Sequence, residues 1–200
     1  MGAALVTPVE LVAVGASWGG LAAIEIVLRA LPAGFRAAVV IAQHRQMRGN
    51  DGMLERLLDA RCALDVREAE DKVRLAPGMV LVAPADYHLL VEPGSVSLSV
   101  DDPLHYSRPS IDILLGSAAD AYGERAAGVV LTGANADGAL GLARIAARGG
   151  PTIVQDPATA ERSEMPAAAL WATPEARVLA LGEIGPALVE LVQAHAEPVP

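Results

Sequence analysis

The chain has 200 residues, 52% apolar and only 3% aromatic, and its 15 basic and 24 acidic side chains give a formal charge of -9. This length and apolar content suit one domain with one core built largely from Ala, Val, Leu and Ile, while the scattered basic residues exclude a surface that neutralises a phosphate backbone, so nucleic acid is not an expected partner. Cys62 is the only cysteine, which excludes an internal disulfide, and neither a leader pattern nor an apolar run near the ~20 residues of a membrane span is present, so a cytoplasmic chain without membrane insertion is expected.

The chain opens on the apolar run "LVAV" (11 to 14), a small turn around Ser17, and a helical pattern in which Leu21, Ile24, Leu28 and Leu31 recur on one side. Glu25 and Arg29 stand four apart on the other side. A second buried strand, "AAVVIAQH" (37 to 44), precedes a short amphipathic helix at 52 to 60 and strands at 63 to 68 and 79 to 84. Two alternating runs within 88 to 100 flank Pro93-Gly94, the residue pair of a type II turn, which predicts an inserted β-hairpin.

Next, "SRPSIDILLGSAADAY" (107 to 122) offers a serine cap and an early proline before a helical period. The strand "AAGVVLTG" (126 to 133) leads to a helix that ends at Gly149-Gly150. Strand 151 to 155, an alanine-rich helix near 166 to 171, strand 176 to 181 and a closing helix 183 to 195 complete the chain. Short, uniformly apolar strands separated by helices predict a three-layer, doubly wound α/β fold around a mainly parallel sheet of about seven strands.

In such a sheet, ligands meet the protein at the carboxyl ends of the strands. There the chain places Ser17 after the first strand, Gln43-His44 after the second, Asp86 after the fourth, Asn135 and Asp137 after "GVVLT", and Asp156 after "PTIVQ". A serine hydroxyl becomes a nucleophile when an imidazole accepts its proton and a carboxylate orients that imidazole. Ser17, His44 and one of these aspartates supply the three groups. The stretch "GASWG" also fits G-x-S-x-G, a strand-to-helix turn that exposes the hydroxyl beside backbone amides. It fails the dinucleotide pattern G-x-G-x-x-G, because Ser17 occupies the second glycine position. Each residue also has a simpler role open to it: Ser17 as the cap of the helix near Gly19, Asp137 as the cap of the helix starting at Gly138, and His44 as a solvated strand end. His88, His105 and His195 have no metal-ligand spacing and read as structural or surface groups.

At these residues the chain resembles a known family, the catalytic domain of the chemotaxis protein-glutamate methylesterase CheB. The likeness runs through "VGASWGGLAAIEIVL" (14 to 28), "VVIAQH" (39 to 44), "LAPGMVLVAPADYHLLV" (75 to 91), "RPSIDILLGSAAD" (108 to 120), "VVLTGANADGALGLARIAARGG" (129 to 150) and "TIVQDPATAERSEMPAAAL" (152 to 170). The resemblance implies a doubly wound sheet, Ser17 as nucleophile, His44 as general acid/base and Asp137 as its orienting carboxylate. Backbone amides near Trp18 and Gly19, and of the turn Gly133, Ala134 and Asn135, are the implied oxyanion donors. It further implies methyl-esterified glutamates, and in some members glutamines, on cytoplasmic helices of methyl-accepting chemoreceptors as substrate, with no cofactor and no metal.

Three departures from the family's pattern stand out. Trp18 replaces a small residue or threonine, and an indole at the mouth is expected to reshape substrate access. Ala134 and Asn135 replace a methionine and a glycine, and asparagine is less suited than glycine to a positive φ. Glu164 replaces a glycine before Met165-Pro166, after an unusually charged "ERSE" (161 to 164). Many members also carry a receiver domain ahead of the catalytic strand. Here that strand starts about ten residues from Met1, so a single catalytic domain without a receiver, uncontrolled or controlled by a separate regulatory chain, is expected. The rival expectations are a serine esterase for small molecules, using His195, and a catalytically silent module that binds a receptor or partner.

Overall fold

The structure, a computed structural model, describes residues 8–44 and 52–193. Its elements in chain order are β1 (Leu11–Ala16), α1 (Gly20–Arg29), β2 (Ala38–Gln43), α2 (Met53–Asp59), β3 (Asp65–Glu68), β4 (Met79–Val82), β5 (His88–Glu92), β6 (Ser95–Ser99), α3 (Ile111–Tyr122), β7 (Ala126–Val130), α4 (Ala139–Ala147), β8 (Thr152–Gln155), α5 (Glu164–Ala172), β9 (Arg177–Leu179) and α6 (Leu181–Gln193).

Seven strands form one parallel sheet in the order β3-β4-β2-β1-β7-β8-β9, and β5-β6 form a separate antiparallel hairpin. Parallel strands covered on both faces must be apolar on both, which explains the unbroken runs. Along β1, Val12, Val14 and Ala16 face the core shared with α1, α2 and α6, while Leu11 and Ala13 face α3, α4, α5 and the hairpin. The strand alternation therefore feeds two cores from one sheet. Each fully buried aliphatic side chain contributes roughly 1.5–3 kcal/mol of transfer free energy.

The expected fold class is the one observed, and the differences are at element ends. The cap of α3 is Ser110, whose Oγ accepts from the Ile113 amide, and not the earlier serine of the "SRPS" stretch. Pro109, joined to Arg108 by a cis peptide bond, precedes the cap and lies outside the helix. Helix α6 starts at Leu181, two residues earlier than its period suggested. Its expected end and His195 lie outside the described residues. The Pro93-Gly94 turn is present, with Gly94 at φ +79° as a type II turn requires.

The site follows from the sheet order. The sheet starts at β1 and grows through β2 on one side and through β7 on the other, so the switch point lies between β1 and β7. Loops leaving β2, β1 and β7 are therefore neighbours on the carboxyl edge. These loops carry His44, Ser17 and Asp137.

Candidate active site

Ser17 leaves β1 in a turn fixed by backbone bonds: its amide donates to Thr132 O at 2.9 Å and its carbonyl accepts from Gly20 N at 2.9 Å. Gly19 at φ +77° closes the turn into α1, and no side chain caps that helix. The Ser17 hydroxyl is thus not a cap. It lies 3.2 Å from His44 Nδ1.

His44 follows β2 and presents its other nitrogen, Nε2, to Asp137 Oδ2 at 2.7 Å. Asp137 does not cap its own helix either, since Gly138 holds the cap position of α4 and no side chain caps it locally. Its carboxylate caps the neighbouring α3, accepting from Ile111 N at 2.8 Å, Asp112 N at 2.9 Å and Ser110 Oγ at 2.9 Å. Asp112 returns the arrangement, accepting from Gly138 N at 3.0 Å and Gly141 N at 2.7 Å at the start of α4. Two aspartates therefore cap each other's helices.

This crossing sets the electrostatics. Burial raises the Asp137 carboxyl, but the His44 hydrogen bond and the amides of Asp112 and Ile111 outweigh it and hold the group below its ordinary value. Burial is also the largest cause for Asp112, which is raised despite the Gly141 amide, with the Asp137 charge adding to the rise. An ionised Asp137 only accepts, so His44 Nε2 carries the proton and Nδ1 is left to accept from Ser17 Oγ. With side chains 10% and 0% exposed for His44 and Asp137, the proton path is shielded except at Ser17.

Neither rival acid reaches His44. Asp86 is paired with Arg108, and Asp156 caps the short turn that follows β8 by accepting from Ala158 N at 2.9 Å. His88 is buried between Ser110 N and Asp102 O, where it supports the start of α3. His105 lies 3.9 Å from Asp112, away from the serine.

Among the expected oxyanion donors, the Gly133 amide is already taken by Arg162 O at 3.1 Å. Gly133 instead matters by its size: a side chain there would come within 2.6 Å of Met165 and 2.9 Å of Ser17 Cβ. Among the described residues, the amides of Trp18, Gly19, Ala134 and Asn135 donate to no protein group. The strain expected at Asn135 is absent, because it is not among the residues with positive φ. Its Oδ1 accepts from Asp137 N at 3.2 Å and so shapes the turn that delivers the carboxylate.

Trp18 and the first two residues of "ERSE" prove to be one feature. Trp18 Nε1 donates to Glu161 Oε1 at 2.8 Å, and the Arg162 guanidinium lies over the indole, 5.3 Å from the ring centroid. Sequence reasoning also missed Gln43, although it named that strand end. Its Nε2 donates to the carbonyls of Ser17 at 2.8 Å and His44 at 3.0 Å, tying two strand ends together. Gln155 plays a similar tying role: its Oε1 accepts from Thr132 N at 2.9 Å and its Nε2 donates to Thr159 O at 3.0 Å in the turn after β8. An amide side chain as the last residue of a buried strand is the signal that marks both.

A hydrogen-bonded serine, histidine and aspartate on three adjacent strand ends can carry out nucleophilic acyl transfer. Among the described residues, no cluster of His, Cys, Asp and Glu could hold a metal ion, and no helix is long and apolar enough to cross a membrane. The sequence model of the CheB methylesterase family matches residues 12–188. The chain belongs to that family. A protein of Leptospira interrogans is 42% identical over 189 residues, covering 94% of this chain and 97% of that one. The protein-glutamate methylesterase FrzG of Myxococcus xanthus is 44% identical over 189 residues, 92% of this chain but 55% of FrzG. The crystal structure of the Thermotoga maritima CheB methylesterase catalytic domain superimposes with a TM-score of 0.87 at 33% identity, over 93% of this chain and all of that one.

Proposed function

We propose that the chain is a protein-glutamate methylesterase that hydrolyses γ-methyl esters of glutamate on chemoreceptor helices, and deamidates glutamines there by the same route. The observation that carries this reading is the continuous hydrogen-bonded path from Ser17 Oγ through His44 to Asp137, in a family whose relatives include one named for methylesterase and glutaminase activity in Moorella thermoacetica, 42% identical over 189 residues.

Ser17 Oγ attacks the ester carbonyl while His44 Nδ1 takes its proton. The tetrahedral oxyanion is met by the unoccupied amides of Trp18, Gly19, Ala134 and Asn135. His44 returns the proton to the departing methoxide, methanol leaves, and a glutamyl ester on Ser17 remains. Water then repeats the sequence with His44 as base, releasing glutamate and restoring the serine. With glutamine, ammonia leaves in place of methanol. Asp137 stays ionised throughout and stabilises the imidazolium formed in each half.

The silent-module alternative rested on Trp18 and the 134 to 135 turn. The indole is bonded to Glu161, and the turn has unstrained geometry, so neither observation favours it. The test is methanol release from a methylated receptor cytoplasmic fragment. Ser17→Ala is expected to lower kcat by a factor on the order of 10³ to 10⁶ while leaving the unfolding midpoint within error of wild type. Retained turnover in that variant defeats the assignment.

A further inference from the structure

Deepening the methylesterase reading and resting on it, we infer that Arg162 is a specificity-determining residue that recognises a free carboxylate on the substrate helix, about one helical turn from the ester being cleaved.

Its backbone is fastened to the nucleophile's surroundings. Arg162 N donates to Thr132 Oγ1 at 2.9 Å, Arg162 O accepts from Gly133 N at 3.1 Å, and Thr132 Oγ1 donates to Trp18 O at 2.9 Å. Gly133 itself abuts Ser17. The guanidinium lies over the Trp18 ring, and Trp18 is the residue next to the nucleophile. That indole is fixed in turn by its bond to Glu161, whose side chain lies so close over Gly19 that a Cβ there would meet it at 2.6 Å. Stacking holds a guanidinium by its face and leaves its edge of N–H donors free.

Among the described residues, nothing occupies that edge. Arg108, Arg125, Arg144 and Arg148 each hold an aspartate or glutamate within 2.9 Å. Among the described residues Arg162 has no side-chain hydrogen bond or ion pair, and Glu161, bonded to the indole, makes no ion pair with it. An oriented, unpaired guanidinium at the rim of a site on a chain of net charge -9 selects for an anion and matches a carboxylate in its fork. The span to be covered is one helical turn: residues three and four apart on a helix have Cβ atoms roughly 5–6 Å apart, and the Arg162 guanidinium stands 5.3 Å from the indole centroid of Trp18, the residue after Ser17. A substrate helix with its ester at Ser17 thus brings its next same-face carboxylate to Arg162. Esters beside an already demethylated glutamate are then cleaved in preference to isolated ones.

The test uses the purified full chain and two synthetic helical peptides, each with one γ-methyl glutamate. One carries Glu four residues to either side, and the other carries Gln there. Wild type is expected to favour the acidic peptide about fivefold in kcat/KM, the effect of an exposed but oriented charge pair. Arg162→Gln brings the ratio to one, Arg162→Glu inverts it, and salt near 1 M erases it as the Debye length falls to about 3 Å. Each ratio is taken within one variant, with its own turnover of the neutral peptide as the reference. Hydrolysis of both peptides with an equal ratio in wild type, or a ratio unmoved in the variants, overturns the inference and leaves the methylesterase reading intact. Hydrolysis of neither by wild type defeats that reading, and this one with it.

Discussion

Two sets of contacts meet at Ser17, and they are made of opposite materials. On the inner side, His44 and Asp137 have side chains 10% and 0% exposed, and the carboxylate accepts from His44, Ser110, Ile111 and Asp112. On the outer side, Trp18 is 59% exposed, and its partners Glu161 and Arg162 are exposed as well. A buried polar network holds one geometry because every alternative leaves a desolvated group unpaired. An exposed cluster is held by small terms that water and salt contest. The inner side is therefore suited to a fixed proton path, and the outer side to tuning which substrate reaches it.

The largest expected effect comes from the inner side. Asp137→Asn keeps the shape but places two donors where acceptors are needed, so kcat should fall by about 10⁴ and stability by roughly 2–3 kcal/mol. The pH dependence follows from the direction of the shift. The folded Asp137 carboxyl lies below its ordinary value of 3.8, so its stabilisation is present above that value and is lost as pH falls through the folded one. The stability gap between wild type and Asp137→Asn, measured by urea unfolding, should thus be flat near neutrality and shrink below about pH 4. Asp112, raised by burial, has the opposite sign: its contribution is present below its unfolded value and is lost as pH rises through the folded one. A gap for Asp137→Asn that stays constant down to about pH 3 would break the distinction between the two sides.

Most of the fold, and the strand ends that carry Ser17, His44 and Asp137, were legible because each depends on local pattern. Strands such as β1 and β2 are uninterrupted apolar runs, and a strand end on a parallel sheet is a site whatever else surrounds it. The choice of acid was not legible from the residues alone. Asp86, Asp137 and Asp156 all follow strands, and the neighbouring Gly138 made Asp137 read as a cap for α4. The structure turns that carboxylate to α3, 25 and 26 residues upstream, which no local signal encodes. The outer cluster is less legible still, since Trp18 and Glu161 are 143 residues apart. Each looked like a separate departure until the sheet order β1-β7-β8 brought the loops after β1 and β8 together across Thr132, just past the end of β7.

Gln43 lies between the two sides and should give an intermediate effect. Its Nε2 ties the Ser17 and His44 carbonyls, while its Oε1, pressed towards Gly20, has no partner among the described residues. Gln43→Leu removes both bonds and also removes an unpaired buried oxygen, so the stability loss should be held to about 1 kcal/mol. The lost positioning should lower kcat roughly tenfold with KM unchanged, because it shifts the nucleophile and not the substrate contacts. Steady-state kinetics with urea unfolding would separate the two. A rise in KM at constant kcat would place Gln43 with the outer side.

The smallest effect belongs to Glu161, and there the sign carries the information. Glu161→Gln keeps a carbonyl oxygen for the Trp18 indole, so the stack under Arg162 survives and stability should change by no more than about 0.5 kcal/mol. What disappears is the only acidic group of the cluster, which competes with any substrate carboxylate for the Arg162 charge. The preference for an acidic over a neutral peptide should therefore rise, by about twofold at low salt, in the same kcat/KM comparison used for Arg162. A lower preference, or a stability loss above about 1 kcal/mol, would mean that the carboxylate holds the rim together as the inner network holds His44. The outer side would then be structure and not selection.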